Sequence, residues 1–247
     1  MEIFVGDLRV TEDIWVPIAA TLLGGMLALL GSFGAMWWSN RFALRTREAE
    51  LERLQAERAF GTLFKLLHAH NAAANLDQQI SEMFLDAAQN GAEGMDPWAK
   101  VMELVGAPDE IQSIDPSETA FLIHMKKSDL LNDIHLIQMR IANIMGSVEK
   151  YSSLRAEMQT FLSANMVEGN IEGGTQMQAA FHGGAAVQAE LMTARLNNLL
   201  GQIIEKLDED IPISWDILCK FKDAAILRYG KLFPEFELRN DATGKKD

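Results

Sequence analysis

The longest apolar segment of the chain runs from Ile14 to Trp38 and contains no charged residue. As a helix this segment is about 37 Å long, and the hydrocarbon core of a bilayer is about 30 Å thick. In lipid every backbone amide must be paired within the protein, and a continuous helix meets that need. The pattern therefore predicts a transmembrane helix over residues 14–38, with Trp15, Trp37 and Trp38 as anchors at the two interfaces.

Small residues recur at helical spacing within this segment. Side chains of this size at intervals of four let two helix backbones approach closely, which favours packing in a membrane. Glycine and alanine are also common in membrane helices in general, so chance recurrence is the alternative interpretation. We expect the small residues to form the face through which the protein self-associates: Ala20, Gly24, Ala28, Gly31, Ser32 and Ala35.

Positive charge is unevenly distributed around the segment. Arg41, Arg45 and Arg47 follow it closely, whereas only Arg9 precedes it. Because arginine-rich flanks stay on the cytoplasmic side, we expect the three arginines to anchor the inner interface of a plasma (bacterial inner) membrane. The chain would then have a short acidic extracytoplasmic tail at residues 1–13. A buried core helix and a cleaved signal peptide are the competing interpretations. A core helix of this length would normally have a polar stripe, and the acidic start and long apolar region disfavour a signal peptide.

The stretch after the segment consists of strong helix formers. No glycine or proline occurs between Ser39 and Phe60, so nothing local ends the helix there. We expect it to continue to about Gln89, where Asn90-Gly91 is typical of a left-handed cap. Further on, Asp96-Pro97 and Asp115-Pro116 each place a capping side chain before a first-turn proline, which predicts two short helices.

The strongest periodic pattern follows Ser128, which is expected to cap a new helix after a short break. Apolar positions then alternate at spacings of four and three, as in the seam of a coiled coil. Further apolar residues widen the stripe, which favours a bundle of three or more helices. The seam positions are Leu130, Ile134, Ile137, Ile141, Ile144, Val148 and Tyr151.

The last third of the chain is expected to contain two more helices and no strand. Residues 168–174 suggest a flexible acidic turn, and a helix is expected over residues 175–207. A break at residues 208–212 and a cap at Ser214 would start a last helix, residues 215–229. The fold class is therefore all-α: one N-terminal transmembrane helix continuing into an elongated antiparallel bundle of three or more long helices. Its cytoplasmic body would cover residues 39–236 and a flexible tail residues 237–247.

Composition narrows the choice of partners. Lysine and arginine total 22 against 35 aspartates and glutamates, a net charge of −13. An acidic body argues against a nucleic-acid partner. The single cysteine, Cys219, cannot form an internal disulfide.

No motif for catalysis, metal binding or cofactor binding occurs in the sequence. His68 and His70 are two positions apart on a helix and point to different faces, so they cannot share an ion. We therefore expect no cofactor and no enzymatic activity. The leading hypothesis is a single-pass, membrane-anchored helical scaffold or sensor that self-associates and binds a cytoplasmic protein partner. The alternative is a membrane effector or channel-forming subunit gated by its cytoplasmic bundle.

Overall fold

The computed structural model describes the backbone of residues 12–105, 111–172, 176–181, 184–234 and 236–238, and the side chains of these ranges except 12–16 and 166–181. It is helical apart from one β-hairpin. Helices α1 to α5 span Glu12–Gln89, Pro97–Lys100, Pro116–His124, Ser128–Asn165 and Ala185–Tyr229, and a 3-10 helix covers Gly230–Leu232. Strands β1 (Met166–Glu172) and β2 (Gln176–Phe181) form the hairpin between α4 and α5. The chain divides into two compact units, which meet in the sequence between Leu54 and Gln55.

The predicted end of α1 is confirmed by a Schellman cap. The N–H of Ala92 donates to the carbonyl of Ala87 at 2.8 Å, and the N–H of Gly91 donates to that of Ala88 at 3.2 Å. Gly91 has a φ of +74°, which is the left-handed conformation that this motif needs and that glycine adopts without steric cost. The local sequence Asn90-Gly91 is therefore enough to end a helix that nothing earlier interrupts.

In the first unit, α1 contains the long apolar segment, and its described side chains are exposed. Among the described residues, α1 is the one helix that is long and apolar enough to cross a membrane. Its most apolar 18-residue window has a mean hydropathy of 1.8, and none of that window is buried. This confirms the predicted long apolar helix near the N-terminus.

The second unit has a continuous hydrophobic core to which α1, α4 and α5 all contribute. All seven predicted seam positions of α4, from Leu130 to Tyr151, are buried. The core includes Leu63, Leu76 and Ile80 from α1, and eleven buried hydrophobic residues between Ala189 and Tyr229 from α5. A fully buried side chain of this size contributes about 1.5–3 kcal/mol, so this core supplies most of the unit's stability.

Side-chain contacts join the elements of the second unit at several levels. Phe60 of α1 packs edge-on against Phe233, with ring centroids 5.6 Å apart. Lys65 of α1 forms an ion pair with Glu118 of α3 at 2.9 Å, and the ring of Phe121 in α3 lies 5.6 Å from Phe221 in α5.

On either side of residues 106–110, which lie outside the described part of the chain, the segment between α2 and α3 contacts α1. The side chain of Gln79 donates to the carbonyl of Val105 at 2.8 Å and accepts from its N–H at 3.2 Å. Nearer the start of α3, Lys65 donates to the carbonyl of Ser113 at 2.9 Å. This segment therefore meets successively earlier residues of α1 as it approaches α3.

The hairpin corrects one expectation. Residues 168–174 were expected to form a flexible turn and residues 175–207 a helix, with no strand in the chain. Instead, β1 and β2 pair antiparallel, with Glu168 opposite Ala180 and Asn170 opposite Gln178, and α5 begins only at Ala185. The sequence of β2, QMQAAF, contains good helix formers. Its extended form is determined by pairing with β1, which local propensity does not report.

Helix α5 corrects a second expectation. A break was expected over residues 208–212, with Ser214 capping a new helix, yet α5 runs without interruption through Pro212. An interior proline costs about 3 kcal/mol because it removes a backbone hydrogen bond and crowds the preceding turn. Buried residues on both sides of it, among them Leu207 and Ile217, contribute about 1.5–3 kcal/mol each and outweigh that cost.

Candidate functional site

The predicted packing face of α1 is open in the single chain. All six small residues from Ala20 to Ala35 are exposed, and apart from the adjacent backbone of the helix itself no atom lies within 4 Å of a Cβ built on Gly24 or Gly31. The hydroxyl of Ser32 donates to the carbonyl of Ala28 at 2.7 Å, so this polar group is satisfied within the helix. The face can therefore approach a second backbone without burying an unpaired polar group, and its use for packing stays a prediction.

The predicted interface anchors at the end of the apolar segment are grouped on the helix surface. Trp37 and Trp38 are 61% and 72% exposed, and the guanidinium carbon of Arg41 lies 5.1 Å from the centroid of the Trp37 ring. Arg45 lies one turn beyond Arg41, and both border one shallow hollow with the two tryptophans. The remaining predicted anchors fall elsewhere: Arg47 does not line this hollow, and the side chain of Trp15 lies outside the described residues.

In the second unit, a buried histidine joins α1 to α5. His70 Nδ1 lies 2.8 Å from Ser214 Oγ, and the imidazole ring packs against Trp215 with centroids 5.2 Å apart. Ser214 Oγ also lies 2.8 Å from the carbonyl of Ile211, to which it donates. Burial lowers the pKa of His70 from its ordinary value of 6.5, because the imidazolium form would lose its hydration.

The same helix α5 carries a buried carboxylate. Asp210 is fully buried, and its Oδ1 lies 2.6 Å from Nη2 of Arg140 on α4. The same Nη2 atom lies 2.7 Å from Oε2 of Glu209. This Oε2 atom also forms an ion pair with Nζ of Lys206 at 3.0 Å. Burial raises the pKa of Asp210, and the charge of Arg140 opposes that rise. Asp210 lies one helical turn before Ser214, so the His70–Ser214 contact and the ion pair occupy adjacent turns of α5.

A third polar group holds the short helix α2 against α4. The Tyr151 hydroxyl donates to the carbonyl of Val101 at 3.1 Å, and Arg155 donates to the carbonyls of both Trp98 and Val101. The Arg155 guanidinium carbon also lies 5.7 Å from the Trp98 ring. Burial raises the pKa of Tyr151. Carbonyls at a helix end have no partner in the helix itself, and these two side chains satisfy them.

These buried polar contacts join one helix to another. His70 and Ser214 are only 2% and 5% exposed, so the contact between them is largely shielded from solvent. Within the part of the chain that the structure describes, no group of three or more histidine, cysteine or acidic residues is arranged to hold a metal ion.

Reasoning from the sequence did not find this polar layer. The sequence predicted Ser214 as a helix cap and indicated for His70 only that it cannot share an ion with His68, because the contact between His70 and Ser214 joins residues 144 positions apart. A signal was present: both polar residues fall on otherwise apolar faces of long helices, where a buried polar group needs a partner. Comparison of the chain with known protein families, with curated proteins and with solved structures finds no match.

Proposed function

We propose that this protein is a single-pass, membrane-anchored helical scaffold or sensor that self-associates and binds a protein partner in the cytoplasm. The membrane anchor is supported by a change in the exposure of apolar side chains along α1. In α1, Leu22, Leu27 and Phe33 are 66–69% exposed, whereas Leu63 and Leu76, later in the same helix, are each 1% exposed. Lipid is the solvent that would stabilise the first group, at about 1.5–3 kcal/mol for each side chain removed from water.

The charges around the apolar segment support an orientation. Arg41, Arg45 and Arg47 follow the segment, so the N-terminus would lie outside and the body in the cytoplasm of a bacterial inner membrane. Reporter fusions test this: a fluorescent reporter at the C-terminus should be active and a phosphatase reporter there inactive. The reverse result would overturn the orientation while leaving the span intact.

The body would be a three-helix bundle of α1 from Gln55 onward, α4 and α5. Arg140 meets Glu209, whereas Leu154 shares a hollow with Met192, and this order supports antiparallel packing of α4 and α5. For α1 and α5, Phe60 lies beside Phe233 and His70 beside Trp215, which also supports an antiparallel pair.

Helices α1 and α4 would run parallel, contrary to the expectation that each long helix reverses on the one before it. Ile137 and Ile141 line a small hollow together with Leu66 and Ala69. Farther along α4, Arg155 reaches the carbonyl of Val101. Just beyond that residue, the N–H of Met102 donates to Met83 Sδ at 3.2 Å. Later residues of α4 thus correspond to later residues of α1.

Self-association would use the small-residue face of α1. Replacing Gly24 and Ala28 with leucine should separate the backbones and reduce cross-linked dimer in bilayers at least several-fold. Ala19→Leu is the matched control, because Ala19 lies two and a half turns before Ala28, on the opposite side of the helix. If Ala19→Leu weakens association as much as the double variant, this face is not the interface. A wild-type protein that remains monomeric in bilayers would remove self-association altogether.

Partner binding would use apolar side chains on the surface of the body that are exposed to solvent. Leu136 and Met139 lie one turn apart on α4, and both are more than half exposed. A photo-cross-linking residue at Met139 should capture a defined protein in cells, whereas the same residue at the exposed Lys150 should not. Identical capture from both positions would count against a specific surface on α4.

A further inference from the structure

We propose that the cluster of Trp37, Trp38, Arg41 and Arg45 binds the phosphate headgroup of an anionic phospholipid. The proposal rests on the membrane span proposed above and adds a chemically defined ligand to it. The four side chains lie within about two and a half turns of one helix. Together with Phe42 they line a single hollow on the surface of α1.

The first step of the argument is the free positive charge in this cluster. Among the described residues, no carboxylate lies within ion-pair distance of the Arg41 or Arg45 guanidinium. Arg41 is held over the face of Trp37 at 5.1 Å, which orients its planar group without satisfying its hydrogen-bond donors. A planar guanidinium matches two phosphate oxygens at once, which makes phosphate the fitting counter-charge.

The second step is the depth at which the two arginines would lie in the membrane. At about 1.5 Å of rise per residue, Arg41 lies about 4.5 Å and Arg45 about 10 Å beyond Trp38 along the helix axis. The headgroup layer on each side of a bilayer is about 5–8 Å thick. With Trp38 at the hydrocarbon boundary, where indole rings prefer to lie, Arg41 falls within the headgroup layer and the backbone of Arg45 just outside it, from where a long side chain can extend back to the phosphates.

The third step separates a lipid from other phosphate compounds. Three apolar rings line the same hollow as the two arginines, so an occupant with both acyl chains and a charged head covers all of it. A long polyanion would be repelled by a chain that carries a net charge of −13. The two arginines then select an anionic headgroup over a zwitterionic one, by about fivefold for each charge near the surface.

Arg47 provides a matched control. It lies six residues after Arg41 and two after Arg45, which turns it by roughly 120° and 160° away from them around the helix. It has the same charge and lies in the same juxtamembrane stretch, but it does not line the hollow.

The test uses the full chain in a bilayer of equal parts phosphatidylglycerol and phosphatidylcholine. The lipids that remain bound after gentle detergent extraction are counted by native mass spectrometry. Wild type and Arg47→Gln should retain phosphatidylglycerol over phosphatidylcholine by at least about fivefold, whereas the Arg41→Gln/Arg45→Gln variant should retain both equally. Equal retention of the two lipids by wild type overturns the proposal, as does an equal loss in Arg47→Gln.

Two further arms keep the outcomes distinct. Carbonate washing of the same membranes reports insertion: release of wild type would contradict the span itself, whereas retention without lipid preference contradicts only the headgroup site. The Arg41→Lys/Arg45→Lys variant should keep part of the preference, since it keeps the charge but loses the planar fork. Excess inorganic phosphate should leave the lipid bound, and its displacement would identify a free phosphate as the ligand instead.

Discussion

Nη2 of Arg140 lies 2.6 Å from Oδ1 of Asp210 between α4 and α5, and the Asp210 side chain is fully buried. Removing one partner of such a pair leaves a charge without compensation, which costs about 3–5 kcal/mol. We therefore expect Arg140→Met to lower the free energy of unfolding by about 3 kcal/mol, measured by urea denaturation of the full chain in detergent micelles. Lys206→Met, which removes an exposed partner of Glu209, should cost less than about 1 kcal/mol. Equal losses in the two variants would show that burial of Asp210 is not decisive.

The buried imidazole predicts a pH dependence. Because burial lowers the pKa of His70 from 6.5, the unfolded chain takes up a proton just below that pH while the folded chain does not. Stability should therefore fall as the pH falls through 6.5 towards the lowered pKa, and level off below it. Urea midpoints at pH about 7.5 and about 5.5 measure this. His70→Gln should flatten that part of the profile, and the exposed His68→Gln should leave it as in wild type.

At lower pH, two acidic groups should change folding stability in the direction opposite to His70. Burial raises the pKa of Asp77 and of Asp210 above 3.8, so the folded chain takes up these protons first. Protonation of each group in the window above 3.8 therefore favours the folded state. We expect Asp77→Asn to remove part of this gain, which urea midpoints on either side of that window would detect. An unchanged profile in Asp77→Asn would show that its raised pKa has no effect on folding.

Lys126 adopts a strained backbone conformation at the end of α3. Its φ is +58°, and a Schellman cap forms around it, with the N–H of Lys127 donating to the carbonyl of Leu122 at 2.8 Å. A side chain in this region costs about 1–2 kcal/mol, which glycine avoids. Lys126→Gly should therefore raise the free energy of unfolding by about 0.5–1 kcal/mol. Lys127→Gly has no such strain to relieve, and a gain there of the same size would refute the explanation.

Pro212 is exposed and lies inside α5. Pro212→Ala restores a backbone donor and loses little packing, so we expect stability to rise by about 1–3 kcal/mol. Pro97→Ala is the control, because Pro97 occupies the first turn of α2, where a missing N–H costs nothing. Thermal unfolding followed by circular dichroism would show the difference, and a loss of stability in Pro212→Ala would mean that α5 depends on the proline.

The α4 seam predicts a sharp contrast between neighbouring positions. Ile141 is buried and Met139 is 62% exposed. Truncation to alanine should cost about 2–5 kcal/mol at Ile141 and less than about 0.5 kcal/mol at Met139. Urea denaturation of the two variants measures both, and similar losses would indicate that Met139 is covered in solution.

The features that could be predicted from the sequence depend on local or periodic signals. Asn90-Gly91 ended α1 as expected, Asp115 caps α3 by accepting from the N–H of Ser117 at 2.7 Å, and the spacing of α4 identified its buried face. These outcomes need only neighbours along the chain, because capping and helical periodicity act over one or two turns.

The features that could not be predicted depend on distant partners. The strand pairing of Gln178 with Asn170 and the passage of α5 through Pro212 are both determined by contacts beyond the local turn. The contact of His70 with Ser214 depends likewise on how two helices are placed. Propensity assigns such segments by their local preference, and packing overrides it.

The guanidinium of Arg155 has a consequence for how α4 is aligned. The apolar seam repeats so regularly that a slip of α4 by one heptad would still place aliphatic side chains in the core. Such a slip would, however, put Val148 or Leu162 in front of the carbonyls of Trp98 and Val101, which now accept from Arg155. A buried carbonyl left without a donor costs about 1–3 kcal/mol. Arg155, together with the Tyr151 hydroxyl that donates to the same carbonyls, thus favours a single register for a helix whose hydrophobic pattern would tolerate several.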